Sequence, residues 1–199
     1  MKRIFLVRHG ESEWNSVRRL QGQADIDLSA RGREQAARLR ATIARLDPDA
    51  VLASDLVRAS ETATLLGHGN AVRTAALREN DVGEWTGKLI SDIDSVEYRK
   101  WRAGHFTPPG GESWEAFTDR VTAAVSGELS HDADRLLVVC HGGVIRALLQ
   151  SLIGLPPHRM MPVSPASLTI VAVRDAERTD IRLELLNYSP DGPVLDAPD

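Results

Sequence analysis

Short apolar runs alternate along the chain with longer segments whose apolar residues recur every three or four positions. The runs are typical of buried strands and predict strands at 3–7, 50–53, 71–74, 135–140, 167–173 and 181–186. The recurring segments predict helices over 29–45, from Ser54-Asp55 to Gly67, within 91–103, from Trp114 onward and from Val144 to about 153. Because strands and helices alternate nearly throughout, we expect an α/β fold of three layers, with helices on both faces of a mostly parallel central sheet.

Residues typical of turns separate the predicted strands and helices, but they mark no boundary between separate domains. Ser29 precedes the first long helix as an N-cap, and Asp47-Pro48 ends that helix. We expect one domain over residues 1–188, with a short insertion or lid at about 87–112. The last stretch, 189–199, is rich in proline, aspartate and glycine and predicts a flexible tail.

Composition narrows the classes of function. The 199 residues are 42% hydrophobic and 26% charged, which suits a globular protein with a sizeable core. A formal net charge of -4 does not support bulk attraction to nucleic acid or to an anionic membrane, although it is compatible with a local basic pocket. The single cysteine, Cys140, excludes a disulfide within the chain. The first apolar run ends at Arg8, too early for a secretory signal, and no run is long enough to span a bilayer, so we expect a cytoplasmic protein.

Two predicted strands end in a histidine followed by glycine, in the stretches VRHG at 7–10 and CHGG at 140–143. In an open α/β sheet, ligands bind outside the carboxyl ends of the strands, so central parallel strands would bring His9 and His141 to the same edge. The glycines allow a ligand to approach the backbone closely, and Gly142 precedes a helix whose N-terminal amides favour an anion.

Arg8 and Arg58 add permanent charge near the ends of two strands. A cluster of two arginines and two histidines fits a phosphoryl group, whose oxygens accept bidentate bonds from guanidinium groups. Taken one by one, these residue types are more often structural or solvated than catalytic. The phosphate-loop, dinucleotide and serine-hydrolase motifs are absent, and the histidines lack the short spacing of a metal site. The residues alone are therefore compatible with two interpretations, a catalytic site and a phosphate-binding site.

Six segments of the chain resemble, in order, the motifs of one known family. They are RHG at 8–10 with Glu11, Trp14 and Asn15, QGQADIDLSARGREQA at 21–36, SDLVRASETA at 54–63, LRENDVGEWTG at 77–87, PGGES at 109–113 and VVCHGGVIRALL at 138–149. The family that they resemble is the histidine phosphatase superfamily, which includes the cofactor-dependent phosphoglycerate mutases. The resemblance covers about residues 3–153 and implies a phosphoglycerate mutase-like fold.

The resemblance also implies roles for particular side chains. His9 resembles the nucleophile that becomes phosphorylated, and Glu79 resembles the general acid that protonates the leaving oxygen and then activates water. Residues that resemble the groups around the phosphate and the rest of the substrate are Arg8, Arg58, His141, Asn15, Gln21 and Gly22, and Gly142 joins them from its place beside His141. Without the resemblance, nothing favours Glu79 over Glu84. The resemblance implies neither a metal nor an organic cofactor.

The length of one segment favours hydrolysis over transfer between substrates. The stretch between Gly87 and PGGES is shorter than in the mutases that the chain resembles, and the whole chain has only 199 residues. We therefore expect a phosphatase that acts on a small phosphorylated metabolite, with no nucleic-acid or membrane partner. Phosphoglycerate mutase-type transfer and a binding module without turnover are the alternatives. The sequence leaves the oligomeric state open, a dimer included.

Two features have competing interpretations. Asp27 stands where phosphatase-like relatives commonly have proline, and it either serves as a turn residue or repels highly anionic substrates. Segment 96–106 carries Arg99, Lys100 and Arg102, which either meet a second anionic group of the substrate or form a solvated helix face.

Overall fold

A computed structural model describes residues 1–129, 133–175 and 180–192. Within these residues one sheet contains six strands, β1 (Lys2–Arg8), β2 (Ala50–Ser54), β3 (Val72–Thr74), β4 (Arg135–Cys140), β5 (Leu168–Val173) and β6 (Ile181–Tyr188). Their spatial order is β3-β2-β4-β1-β5-β6. The first four strands of this order are parallel, whereas β5 and β6 each run antiparallel to their neighbours. The predicted mostly parallel sheet is confirmed.

Helices cover both faces of the sheet. The α-helices of the described residues are α1 (Glu13–Ser16), α2 (Ala30–Leu46), α3 (Val57–Leu65), α4 (Ser95–Arg102), α5 (Trp114–Leu129) and α6 (Gly142–Ile153). Of these, α2 and α3 pack on one face of the sheet, and α5 and α6 pack on the other. The predicted N-cap of α2 is confirmed, because the Ser29 hydroxyl accepts a hydrogen bond from the Gly32 amide.

Successive side chains of β1 pack into two parts of the core, one on each face of the sheet. Ile4 and Leu6 pack with residues of α5 and α6 on one face of the sheet. Phe5 and Val7 pack with residues of α2 and α3 on the other face. Successive side chains of a strand point to opposite faces, so a strand covered on both sides is apolar at every position. The continuous apolar run in the sequence thus corresponds to the central strand of a three-layer α/β/α fold.

Strand register sets the position of the two histidines. β1 and β4 are parallel neighbours in which Arg8 lies opposite Cys140. The next residue of each chain segment, His9 and His141, therefore leaves the sheet at the same edge, and the His9 amide donates to the Cys140 carbonyl at 2.9 Å. The sequence predicted this juxtaposition on condition that both strands were central and parallel, and the structure meets that condition.

The predicted helix start at Ser54-Asp55 is wrong. Ser54 ends β2, and α3 begins at Val57 after Leu56, which provides no side-chain cap. Both polar side chains have other partners: the Ser54 hydroxyl bonds to His141, and Asp55 forms a two-pronged ion pair with Arg78. Residues that commonly cap helices are used here for contacts with distant segments.

The segment predicted as an insertion or lid has a small apolar cluster of its own. Ile93 and Trp101 pack there with Leu20, Val82 and Trp85. Of the predicted tail, 189–192 form a turn in which Asp191 pairs with Arg38 at 2.7 Å, and 193–199 lie outside the described residues. The single domain, the lid and the tail stay predictions.

Candidate active site

Two buried imidazoles meet at the carboxyl edge of the sheet. The rings of His9 and His141 lie edge to face, with centroids 5.1 Å apart. They directly follow adjacent strands, β1 and β4, which are paired in the sheet. The rigid sheet thus holds both rings in a fixed relative orientation.

One nitrogen of the His9 ring forms a hydrogen bond with the backbone. Its Nδ1 lies 2.6 Å from the Gly10 carbonyl oxygen, which can only accept a hydrogen bond, so Nδ1 carries the proton. Burial lowers the pKa of His9 well below the ordinary value, and Arg58 and Arg8 lower it further, against the smaller opposing effect of the Gly10 carbonyl. The imidazole is therefore uncharged at neutral pH, with a lone pair on Nε2.

His141 is held by a side chain rather than by the backbone. Its Nε2 lies 2.8 Å from the Ser54 hydroxyl, and its Nδ1 has no hydrogen-bond partner within the described part of the chain. Burial lowers the pKa of His141 well below the ordinary value, and Arg58 is the next largest cause. This ring too is uncharged at neutral pH.

Because the pKa values of His9 and His141 are lowered in the native protein, its stability depends on pH. An unfolded histidine has a pKa of about 6.5, so below that pH the unfolded chain binds protons that the native chain does not. The free energy of unfolding is expected to fall on acidification from pH 6.5 towards the native pKa values, by up to about 1.4 kcal/mol per pH unit for each histidine.

Urea unfolding at pH 7.5, 6.5 and 5.5 measures this dependence. We expect a loss between the two lower pH values that exceeds the loss between the two higher ones. Because His158 is exposed on a surface turn, the His158→Ala variant should keep the same dependence. Equal stability at pH 6.5 and 5.5 would show that the buried histidines are not resisting protonation.

Two buried arginines add positive charge beside the histidines. Arg58 donates from its two terminal nitrogens to the carbonyls of Gly22, at 2.9 Å, and Ala24, at 2.7 Å. Arg8 donates to the Val163 carbonyl at 2.6 Å. Burial lowers the pKa of Arg58 to about 10, against the raising effect of nearby carboxylates, so the group remains protonated at neutral pH. Two cations at 1–2% exposure make the site electropositive and favour an anionic ligand.

Glu79 is held at the start of α6. One carboxylate oxygen accepts from the Gly143 amide at 2.9 Å, and the other accepts from the Asn80 amide at 2.8 Å. A carboxylate is favourable there because the amides of a helix N-terminus carry partial positive charge. A Cβ atom at Gly143 would lie 2.1 Å from Oε1 of Glu79, so glycine at this position leaves room for the carboxylate.

Adding a methyl group at Gly143 should therefore displace Glu79. We expect Gly143→Ala to lower kcat on phosphomonoesters by roughly a hundredfold, because a displacement of about 1 Å can cost that much. The matched control is Gly127→Ala in α5, where a Cβ meets nothing within 4 Å. That variant should keep full activity and gain about 0.5–1 kcal/mol of stability. Similar kcat values for the two variants would contradict the placement of Glu79.

Arg120 supports the segment that carries Glu79. Its guanidinium pairs with both oxygens of Glu112, at 2.9 and 2.7 Å. It also donates to the carbonyls of Ala76, at 2.9 Å, and Arg78, at 3.1 Å. These contacts tie the irregular chain before Glu79 to α5 and to the glycine-rich loop before it. Sequence reasoning missed Arg120, because the carbonyls that it bonds are more than 40 residues away and no local pattern marks it.

These side chains surround a pocket of about 440 Å³. Of the predicted site residues, those that line it are Arg8, His9, Gln21, Gly22, Arg58, Glu79 and Gly142. His141 lies against the His9 ring. Asn15 lies elsewhere: it exchanges hydrogen bonds with Ser12 in a capping box that starts α1.

The pocket wall contains further residues that the sequence did not single out. They are Leu20, Val82, Trp101 and Arg146, which line the pocket together with Gly143 of the CHGG stretch. Arg146 had one signal, since it is the only charged residue of the otherwise apolar helix α6. Of the two features with competing interpretations, the exposed Asp27 does not line the pocket, and segment 96–106 contributes Trp101 whereas Arg99 and Lys100 are exposed.

The fold and the pocket define a class of protein. An uncharged imidazole beside two arginines, at the carboxyl edge of an α/β sheet, is suited to a phosphoryl group. The model of the histidine phosphatase superfamily (branch 1) matches residues 4–187. The chain belongs to this superfamily, and the predicted family, fold class and enzyme class, a histidine phosphatase, are confirmed.

Individual relatives carry the names of phosphatases and of phosphoglycerate mutase-like proteins. A glucosyl-3-phosphoglycerate phosphatase of Mycolicibacterium vanbaalenii is 34% identical over 171 residues, which are 78% of this chain and 76% of the relative. A phosphoglycerate mutase-like protein 4 of Arabidopsis thaliana is 34% identical over 160 residues, or 74% of this chain and 69% of the relative. The structure of a mycobacterial glucosyl-3-phosphoglycerate phosphatase with VO3 superposes with a TM-score of 0.86 at 30% identity, covering 95% of this chain and all of that one.

Two further observations concern metal ions and membranes. Among the described residues, no group of three or more histidine, cysteine, aspartate or glutamate side chains is arranged to hold a metal ion. Within the same ranges, no helix combines the length and the apolar character needed to cross a bilayer.

Proposed function

We propose that this chain hydrolyses a small phosphomonoester through a phosphohistidine formed at Nε2 of His9. The observation that carries the proposal is the Nδ1 hydrogen bond of His9 to the Gly10 carbonyl, in a buried site that keeps the ring uncharged. This bond directs the lone pair to Nε2, the nitrogen that is then able to attack phosphorus.

In the first step, the lone pair on Nε2 of His9 forms a bond to phosphorus as the ester P–O bond breaks. Glu79 gives its proton to the leaving oxygen, which departs as an alcohol. Arg8 and Arg58 offset the charge of the phosphoryl oxygens, and the His141 Nδ1, buried without a partner in the described chain, is suited to donate to one of them.

In the second step, water replaces the imidazole. Glu79, now a carboxylate, takes a proton from the water as its oxygen bonds to phosphorus. The N–P bond breaks, the electron pair returns to Nε2, and inorganic phosphate leaves. Each turnover thus consumes one ester and one water, and it returns His9 and Glu79 to their starting protonation states.

The names of the relatives support hydrolysis, and they also support one alternative, phosphoryl transfer by a mutase. Among them are a glucosyl-3-phosphoglycerate phosphatase and the structure of a mycobacterial phosphatase of the same name with VO3. A probable phosphoglycerate mutase of Salmonella paratyphi C, GpmB, is also 34% identical to this chain. A mutase would pass the phosphoryl group to a second substrate hydroxyl instead of to water.

A product assay tests the proposal. The protein is incubated with p-nitrophenyl phosphate and with a panel of phosphorylated metabolites that includes 3-phosphoglycerate, and both free phosphate and 2-phosphoglycerate are measured. Hydrolysis predicts stoichiometric release of phosphate. Formation of 2-phosphoglycerate without free phosphate would establish a mutase, and binding of the esters without either product would establish a binding module.

The proposed chemistry uses only side chains of the protein. Phosphate release is therefore expected to be unchanged after dialysis against excess EDTA, measured against a sample dialysed in buffer alone. Loss of activity in EDTA that is restored by a divalent cation would contradict this expectation.

A further inference from the structure

Asn80 directly follows Glu79 and carries a buried amide beside the pocket. The residue is only 3% exposed and does not itself line the pocket. The proposed reaction gives its side chain no role, although its backbone amide donates to Glu79 at 2.8 Å. A buried polar side chain is costly unless it is hydrogen-bonded, so the partners of this side chain indicate what it does.

Both ends of the Asn80 side chain bond to other segments of the chain. Its Oδ1 accepts from the indole Nε1 of Trp101 at 3.0 Å, and its Nδ2 donates to the Glu112 carbonyl at 3.2 Å. An indole N–H can only donate and a backbone carbonyl can only accept, so the two partners allow a single orientation of the amide. The side chain therefore bridges α4 and the glycine-rich loop before α5.

The Glu112 end of this bridge is held by further hydrogen bonds. The Glu112 amide donates to the Asp81 carbonyl at 2.8 Å, and the Glu112 carboxylate pairs with Arg120 of α5. Arg120 also bonds to the carbonyl of Arg78. The backbone on both sides of Glu79 is thus tied to the same loop and helix.

The Trp101 end of the bridge belongs to the wall of the pocket. Trp101 lines the pocket together with Glu79, and its ring contacts the rings of Trp85 and Tyr98. Apolar contacts of this kind are not directional, whereas a hydrogen bond restricts both distance and angle. The bond to Asn80 therefore sets the position of this wall relative to the backbone that carries Glu79.

The position of the Glu79 carboxylate depends on this backbone. One oxygen accepts from the Asn80 amide and the other from the Gly143 amide at the start of α6. Both bonds form only while residue 80 keeps its distance from α6. A displacement of about 1 Å would lengthen one of them beyond the hydrogen-bonding range and move the acid away from the leaving oxygen.

We propose that Asn80 is a positioning residue that aligns Glu79 with the pocket wall through its bond to Trp101. This inference rests on the proposed function, in which Glu79 protonates the leaving oxygen. Because Trp101 and Glu79 line one pocket, the bridge keeps the acid at a fixed distance from the wall against which the leaving group lies. Loss of the bridge leaves the nucleophile and the arginines in place and weakens only the transfer of the proton.

Two esters that differ in their need for a proton test this role. Benzyl phosphate and p-nitrophenyl phosphate both carry an aromatic ring, but a benzyl alkoxide needs a proton to leave, whereas p-nitrophenolate does not. Their kcat/KM values report the steps up to release of the alcohol. We expect Asn80→Leu to lower the benzyl-to-nitrophenyl ratio of kcat/KM by about 10- to 100-fold, which is part of the roughly 10²- to 10⁴-fold contribution of acid–base catalysis.

Two tryptophans provide a matched pair of variants. Trp101→Phe removes the indole N–H that bonds to Asn80, and Trp114→Phe removes one that bonds to Gln150 at 2.7 Å. Trp101→Phe should lower the ratio, whereas Trp114→Phe should leave it at the wild-type value. The double variant Asn80→Leu, Trp101→Phe should lose no more than Asn80→Leu alone, because both changes break the same bond.

Three results would overturn the assignment. They are an unchanged ratio in Asn80→Leu, equal ratios in the two tryptophan variants, and additive losses in the double variant. A merely structural role would lower the turnover of both esters by the same factor. The ratio compares two substrates on one protein, so partial loss of folded protein leaves it unchanged, and thermal melting shows whether each variant is folded.

NMR spectra of the substrate-free protein separate this proposal from the proposed function. The Gly143 amide donates to Glu79, so its resonance reports the position of the carboxylate. In Asn80→Leu we expect this resonance to shift and the amide to exchange faster with solvent, whereas Trp114→Phe should match the wild type. If this occurs while the wild type hydrolyses no ester, the proposed function fails and the positioning role stands. If the Gly143 amide is the same in Asn80→Leu and the wild type, the positioning role fails whatever the activity.

Discussion

Replacing His9 with alanine is expected to lower the turnover of every phosphomonoester by roughly 10³- to 10⁶-fold, the scale on which loss of a catalytic nucleophile acts. The variant keeps the two arginines but has no atom that can form a bond to phosphorus. The assay is phosphate release under single-turnover and steady-state conditions, so that slow binding and slow chemistry are distinguished.

The matched control is His68→Ala. His68 follows α3, is partly exposed and does not line the pocket, so this variant should retain wild-type turnover. Circular dichroism and melting temperature establish that both proteins are folded. A His9→Ala enzyme with more than about a tenth of wild-type activity would rule out His9 as the nucleophile.

The second large effect is expected from Glu79→Gln. The amide oxygen can accept one of the two backbone hydrogen bonds that Glu79 accepts, but the NH2 group cannot accept the other. The amide can neither give up nor take up a proton at neutral pH. Loss of general acid–base catalysis typically costs 10²- to 10⁴-fold. We therefore expect turnover of glycerol 3-phosphate to fall by about that factor, with little change in KM.

The leaving group separates the two roles of Glu79. p-Nitrophenolate leaves without a proton at neutral pH, so Glu79→Gln should still form the phosphoenzyme from p-nitrophenyl phosphate. Hydrolysis of that intermediate still needs the base. Stopped-flow absorbance should therefore show a burst of p-nitrophenol close to one equivalent of enzyme, followed by slow release.

The control for this experiment is Glu84→Gln. Glu84 is the nearby carboxylate that the residues alone did not distinguish from Glu79, and it is exposed. This variant should behave as the wild type. If Glu84→Gln shows the loss and the burst while Glu79→Gln does not, the assignment of the acid is wrong.

The sequence predicted the parts of the site that depend on the sheet. The runs that became β1 and β4 are apolar at nearly every position because both faces of these strands are covered. Because these strands are parallel neighbours, the histidines at the ends of the two runs lie at the same edge of the sheet. His9, His141 and the arginine before His9 could therefore be predicted from the local pattern and the general rule for α/β sheets.

The residues that the pattern missed are placed by long-range contacts. Arg120 and Glu112 hold the chain before Glu79, which lies in an irregular segment without periodicity. Glu79 itself was identified only by resemblance to the family, and its bond to Gly143 spans 64 residues. Ser54 was predicted to start a helix because its local sequence suits a cap. Its hydroxyl instead bonds to His141, 87 residues away. Arg146 was visible as a charge in a mainly apolar helix, but its contacts with Trp101 and Trp114 involve two other helices.

The central claim is a covalent intermediate on His9, and trapping that intermediate tests it most directly. Four proteins are compared: the wild type, Glu79→Gln, His141→Ala and His9→Ala. Each is mixed with p-nitrophenyl phosphate that carries radioactive phosphorus and is quenched within milliseconds into alkaline detergent. We predict label on the protein in the first three, greatest in Glu79→Gln, and located by peptide mapping on His9 alone. Label that persists in His9→Ala, or no label in Glu79→Gln while phosphate is still released, would contradict the mechanism.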